Sequence, residues 1–183
     1  EHLDKYKKII TSSNAPYGIH RTREQRFFTA PKIIGPNMFD EPSFTYCEEE
    51  YYVNFGFNVI VGHSANYDLR YLTGILNSKV GTFWFNLYGK KRGVNNDVGV
   101  GVLRMFPVHA INFNNPTDKA QHNKMVSLVE QMSASYKSLS IAKSPQDKER
   151  VERQIEVTNK AINSLVYELY ELSDEEIKIA EGK

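Results

Sequence analysis

Residues 69–108 read LRYLTGILNSKVGTFWFNLYGKKRGVNNDVGVGVLRMFPV, and the rest of the chain is organised around them. Leu69, Leu72, Leu76, Val80, Phe83 and Leu87 recur at steps of three and four, the spacing of an amphipathic helix. Midway, Asn77-Ser78 supplies short polar side chains that can take up an orphan N–H and start a second helix. A loop bearing Lys90-Lys91-Arg92-Gly93 and Asn95-Asn96 follows. The small-residue run Val98–Leu103 predicts a strand, with Gly99 and Gly101 marking a bend or a close backbone approach. Phe106-Pro107 closes it. A packed helix that delivers a short basic, amide-bearing loop is a way of presenting donors to DNA.

Composition sets the frame. A chain of 183 residues can build one domain with a proper core, or a domain plus an appendage. Its 40% hydrophobic and 25% charged residues read as soluble and globular. A formal net charge of +1 does not by itself announce nucleic-acid binding, so a DNA binder would need its cations gathered on one face. Through Ala110, thirteen Lys and Arg stand against ten Asp and Glu; beyond it, ten stand against twelve. Arg21, Arg23 and Arg26 fall within six residues, and Lys90, Lys91 and Arg92 within three. The single Cys47 rules out an internal disulfide and fits a reducing, cytoplasmic setting. No apolar run approaches the roughly 20 residues that span a bilayer. The chain opens on Glu1 in a helical pattern (Leu3, Tyr6, Ile9, Ile10), which reads as a piece of a longer polypeptide.

Between residues 16 and 62, short apolar runs (Lys32–Gly35, Phe44–Cys47, Tyr51–Val53, Asn58–Val61) are broken by Pro31, Pro36, Pro42 and Gly56, the punctuation of a turn-rich sheet. After Ile111 the character changes. Asn112–Pro116 is a polar hinge, and Asp118 is placed to cap a long helix carrying Met125, Val129, Met132, Tyr136 and Leu139. Ser144-Pro145 ends it and begins a second helix. That helix carries Val151, Ile155, Thr158, Ile162, Leu165, Leu169 and Leu172. Both stripes alternate four and three, the mark of a coiled-coil seam, and the short turn makes the helices antiparallel. Ser173-Asp174-Glu175-Glu176 is a capping box for a last helix. The expectation is an α+β chain: a compact mixed-sheet domain over residues 1–112, then a helical hairpin spacer and terminal helix over 113–183.

The arginines of His20-Arg21-Thr22-Arg23-Glu24-Gln25-Arg26 carry guanidinium forks that suit guanine O6 and N7, and phosphate oxygens equally. If the segment is extended, Arg21 and Arg23 share a face; the plainer reading is a solvated loop, or partners for Glu48-Glu49-Glu50. Lys90, Lys91 and Arg92 with Asn95 and Asn96 combine phosphate-type cations with amides that pair to adenine edges. Asn54, Asn58, His63, Asn66 and Tyr67 could add readout, though ordinary turn chemistry explains them better. Signals for catalysis are lacking. The five histidines are scattered without metal-ligand spacing, and the acidic run beside Cys47 would raise its thiol pKa. Val98-Gly-Val-Gly-Val lacks the third glycine of a dinucleotide fingerprint.

Five blocks in order, PYGIHR, FFTAPKIIGP, YLTGILNSKVGTFWF, MFPV and INSLVYELYELSDEEIKIAEG, resemble the TaqI-like C-terminal specificity family, the target recognition domains of adenine-N6 DNA methyltransferases in fused restriction-modification enzymes. In the last block Glu171 stands where the family usually has glycine. The resemblance implies double-stranded DNA as ligand, with Arg21, Arg23, Arg26, Lys90, Lys91, Arg92, Asn95 and Asn96 in contact. It implies a non-catalytic fragment. An upstream domain of the same polypeptide would bind S-adenosylmethionine, and a fused nuclease would use magnesium; no cofactor is expected here. Type I restriction specificity subunits pair a similar recognition domain with a helical spacer and are a neighbouring alternative. Two rivals remain: a protein-interaction module dimerising through its hairpin, and a self-contained enzyme using Cys47 or a histidine.

Overall fold

The computed structural model describes residues 2, 4–10, 23–62 and 68–183. After a 3-10 turn (Asp4–Tyr6), the chain forms α1 (Lys7–Ile10), α2 (Arg26–Thr29), β1 (Lys32–Pro36), β2 (Met38–Phe39), β3 (Thr45–Cys47) and β4 (Phe57–Val61). Then come α3 (Leu69–Leu76), α4 (Lys79–Tyr88), β5 (Lys90–Arg92), β6 (Asn95–Asp97), α5 (Val100–Met105), α6 (Pro116–Ile141), α7 (Pro145–Leu169) and α8 (Asp174–Ala180). Among the described residues two three-stranded antiparallel sheets result, ordered β3-β1-β4 and β2-β6-β5. The apolar run Tyr51–Val53 adds no strand. Instead the Tyr51 N–H donates to the Phe28 carbonyl at 3.1 Å, and the Tyr52 ring stacks on Phe28 at 4.7 Å.

The break at Asn77-Ser78 is made as the side chains dictate. Ser78 caps α4 by accepting from Gly81 N, while the Asn77 amide bonds both the N–H and the C=O of Phe44, at 2.8 and 2.7 Å. Gly81 is required here, because a Cβ would lie 2.5 Å from the Leu76 carbonyl oxygen. The break also resets the helical phase. The stripe read as one face therefore does not continue: α3 buries Tyr71, Ile75 and Leu76, whereas α4 buries Phe85 and leaves Leu87 60% exposed. Phe85 lies 5.3 Å from Phe39, 5.9 Å from Phe44 and 5.5 Å from Phe106, ring centre to ring centre. One aromatic nucleus thus joins both sheets to the helices; truncating a ring so placed costs about 3–5 kcal/mol.

The run Val98–Leu103 corrects the sequence expectation: it is not a strand but leads into helix α5, with Gly99 at its N-cap. The pairing with β2 reaches one bond further, the N–H of the fully buried Val98 donating to the Asn37 carbonyl at 2.7 Å, before Gly99 turns the chain into the helix. Val102 and Leu103, then Phe106, pack toward the core at helical spacing. Nor do Gly99 and Gly101 permit a close approach, since an added Cβ at either meets nothing within 4 Å.

Helices α6 and α7 form the expected antiparallel hairpin. Asn115 caps α6 by accepting from Thr117 N at 2.9 Å, with Pro116 at its first position. Asp118, expected as the cap, accepts instead from Asn112 N at 3.0 Å. Ser144 caps α7, and Ser173 with Glu176 completes the capping box of α8. The buried residues of α6 (His122, Met125, Val129) lie no further than its midpoint and those of α7 (Thr158, Ile162, Leu165, Val166, Leu169) in its second half. The base of the hairpin therefore belongs to the same buried cluster as Ile33 and Tyr71, and its far half stands out as an arm. Arg70 ties this base to the sheet: its guanidinium bonds Asp68 at 2.6 Å, pairs with Glu130 on α6 and lies 5.3 Å over the Tyr46 ring. The hydrogen bonds from Arg70 hold the Asp68 carboxyl below the usual range against the opposing effect of burial.

Candidate nucleic-acid interface

The basic loop expected at residues 90–96 is a β-hairpin. β5 and β6 pair Lys90 with Asp97, Lys91 with Asn96 and Arg92 with Asn95, around a two-residue turn. Gly93 opens that turn at φ +64°, the left-handed value that its missing Cβ allows and that type II′ hairpins place first. Alternation along the strands then sorts the side chains. Lys90, Arg92, Asn95 and Asp97 share the outer face with the half-exposed Met38, while Lys91 and Asn96 share the inner face with the buried Phe39.

Asn96, expected to contact bases, is 1% exposed, and its Nδ2 donates to Asn86 Oδ1 at 2.9 Å. That is a correction: Asn96 holds the hairpin on α4, and its amide edge is closed off by packing. Lys91 reaches the same Asn86 oxygen at 2.9 Å with its stem exposed. On the outer face Arg92 pairs with Asp97 at 3.3 Å, and Asn95 is half-buried. Lys90 is exposed and has no ion-pair partner within 4 Å among the described residues. Lys90 and Arg92, two strand positions apart, project about 6.8 Å from one another, close to two base-pair rises of a duplex, ~3.4 Å each.

Arg21, His20, His63, Asn66 and Tyr67 lie outside the described residues. Arg23 is exposed, and Arg26 begins α2 rather than an extended segment, paired with Glu24 at 2.6 Å. The C-terminal end of α2 is held by a buried cation. Lys32, fully inaccessible, donates from Nζ to the carbonyls of Phe28 (2.8 Å), Ala30 (3.1 Å) and Glu49 (2.7 Å). α2 therefore sits at the start of β1, while the β5–β6 hairpin is joined through β2 to the other end. The described arginines, Arg23 and Arg26, thus precede the start of β1 while the lysine hairpin is joined beyond its end, and the acidic run 48–50 lies with the arginines, Glu49 sharing Lys32 with α2.

Asn54 and Asn58 follow turn and core chemistry. Asn54 Oδ1 accepts from Gly56 N at 2.8 Å, and the buried Asn58 donates to the Val98 carbonyl at 2.8 Å. The hairpin's support runs through Asn37 and Asn86, neither of them evident from motif or spacing. Cys47 is half-buried, its thiol 3.5 Å from the Glu49 carbonyl. Among the described residues no group of His, Cys, Asp and Glu could hold a metal ion, and no helix is long and apolar enough to cross a membrane.

No curated protein matches the chain. The family model of the TaqI-like C-terminal specificity domain matches residues 2–108, taking in both sheets, both basic patches and α5. The INSLVYELYELSDEEIKIAEG block lies beyond that match. With more than half of its residues matched, the chain belongs to the TaqI-like C-terminal specificity domains, the DNA recognition modules of restriction-modification enzymes.

Proposed function

We propose that this domain chooses the duplex sequence at which an adenine-N6 methyltransferase domain of the same polypeptide acts in the cytoplasm. The observation that carries the reading is the exposed cationic strand β5 within a chain of this family. Lys90 and Arg92 would set register on the phosphates and Asn95 would reach a base edge, with Arg21, Arg23 and Arg26 engaging a second stretch of backbone. The hairpin α6–α7 would hold the recognition domain at a fixed distance from its partner. S-adenosylmethionine, and magnesium where a nuclease is attached, would be bound by that partner, whose chemistry needs the adenine out of the stack.

The test is the salt dependence of binding to duplexes selected from a randomised pool. Each neutralised phosphate contributes about −0.9 to the slope of log K against log salt. Reversing Lys90 and Arg92 to Glu should lower the slope by roughly two units; unchanged slope and affinity would remove β5 from the interface. A second reading, self-association through the hairpin, draws on the exposed Tyr136 and Ile141 of its far half. Sedimentation showing a dimer with no DNA affinity would favour it.

A further inference from the structure

Phe55 is 95% exposed, the barest of the large apolar side chains on the described surface. Its backbone, by contrast, is held on both sides. Gly56 N donates to Asn54 Oδ1 at 2.8 Å and Phe57 N to the Asn54 carbonyl at 3.3 Å. From across the turn, Asn37 donates its backbone N–H to the Gly56 carbonyl at 2.9 Å and its Nδ2 to the Phe55 carbonyl itself at 3.1 Å. A phenyl ring is thus presented to water from a pinned turn.

What lies beside it identifies the occupant. Asn37 leads directly into Met38, which is half-exposed and pairs with Asp97 on the outer face of the second sheet. Asp97 pairs in turn with Lys90, and Arg92 closes on Asp97. The turn that presents the bare ring is therefore tied, through Asn37, to the strand whose next residue opens a face bearing two cations, Lys90 and Arg92, against one carboxylate, Asp97. A ligand complementary to both must be polyanionic and must offer flat apolar faces. Stacked bases on a phosphate backbone meet both conditions.

We infer that Phe55 is a wedge that enters the base stack of duplex DNA while Lys90 and Arg92 hold the flanking phosphates. This rests on the reading of the chain as a DNA specificity domain. Apolar side chains inserted at a base step unstack it, and the deformation is recovered through the wider contact that the kinked duplex allows. Pyrimidine–purine steps unstack most readily. Phe55 accordingly selects for a flexible step at its position, a form of specificity that needs no hydrogen bond to a base.

The experiment uses the whole 183-residue chain and a labelled 30-base-pair duplex recovered by it from a randomised pool. Phe55→Ala should weaken binding to that duplex on the order of ten- to a hundredfold, the range seen when an aromatic stacked on a base is removed. Its affinity for a scrambled duplex should stay within threefold of the parent's. Phe55→Trp should bind like the parent, and 2-aminopurine at the selected step should brighten on adding the parent chain but not Phe55→Ala. Because the ring is almost wholly in solvent, Phe55→Ala should melt with the parent. Equal binding by Phe55→Ala, or a dark 2-aminopurine with the parent at every step of the site, overturns the wedge while leaving DNA recognition intact. A pool that enriches no duplex overturns DNA recognition and the wedge with it. If Phe55→Ala converts a dimer to a monomer with DNA affinity unchanged, the ring serves a contact between copies and the wedge is wrong.

Discussion

Replacing Glu171 by glycine should stabilise the fold. Helix α7 ends in a Schellman arrangement: Leu172 N donates to the Tyr167 carbonyl at 3.1 Å and Glu171 N to the Glu168 carbonyl at 3.2 Å. That closure requires the residue between them to be left-handed, and Glu171 has φ +52°, the one positive φ among the described non-glycine residues. An L-residue held there carries about 1–2 kcal/mol of strain from its Cβ. Glycine removes the strain but loses roughly 0.5–1 kcal/mol to its greater freedom when unfolded. The net expectation is a gain of about 0.5–1 kcal/mol, or ~1–4 °C in Tm for a chain of this length. Glu171→Ala separates backbone from charge, since it removes the carboxylate and keeps the Cβ. Thermal melting by circular dichroism of the parent, Glu171→Gly and Glu171→Ala decides the matter. If alanine raises Tm as much as glycine, the carboxylate at the helix end is responsible and the strain argument fails; so too if glycine gives no gain.

Three further outcomes follow from the packing. Lys32→Met should lower stability by roughly 3 kcal/mol in urea titration, because three carbonyls lose a buried cationic donor at once; a loss under ~1 kcal/mol would mean water replaces it. Gly81→Ala should cost about 2–3 kcal/mol, since the new Cβ meets the backbone oxygens of Leu76 and Ile75 at 2.5 and 2.8 Å and neither can rotate away. Asp68, whose carboxyl is held low chiefly by its hydrogen bonds with Arg70, contributes stability that is complete above the ordinary carboxylate pKa of ~4. This contribution should fade as pH falls through the depressed native value. Asp68→Asn should therefore narrow the stability difference between pH 6 and pH 3, measured by denaturant midpoints at each pH.

Tyr170 illustrates a contact that spans the two halves of the chain. Its hydroxyl donates to the Pro107 carbonyl at 2.6 Å and accepts from His109 N at 3.3 Å, and burial pushes its phenol up to about 12. Nothing in the spacing of VYELYEL distinguishes Tyr170 from Tyr167, which instead bonds Glu181 at 3.2 Å.

Signals confined to a few neighbouring residues were legible without coordinates. Ser78, Ser144 and Ser173 cap the helices they precede because a hydroxyl needs only the next turn's N–H to act. The hairpin is likewise written in its own stripes, and the cationic run at 90–92 is exposed, as clustered charge requires. What depended on distant partners could not be read along the chain. Lys32 is buried because carbonyls from two segments, Phe28 and Ala30 in one and Glu49 in the other, converge on it, and Asn96 because Asn86 of α4 takes its amide. The face of α4 turned inward follows from the phase lost at Ser78, and the bare ring of Phe55 from a turn held by Asn37, eighteen residues away. Local chemistry therefore determined where the elements start and stop, whereas burial and presentation were decided by which surfaces met, a property of contacts that sequence proximity does not encode.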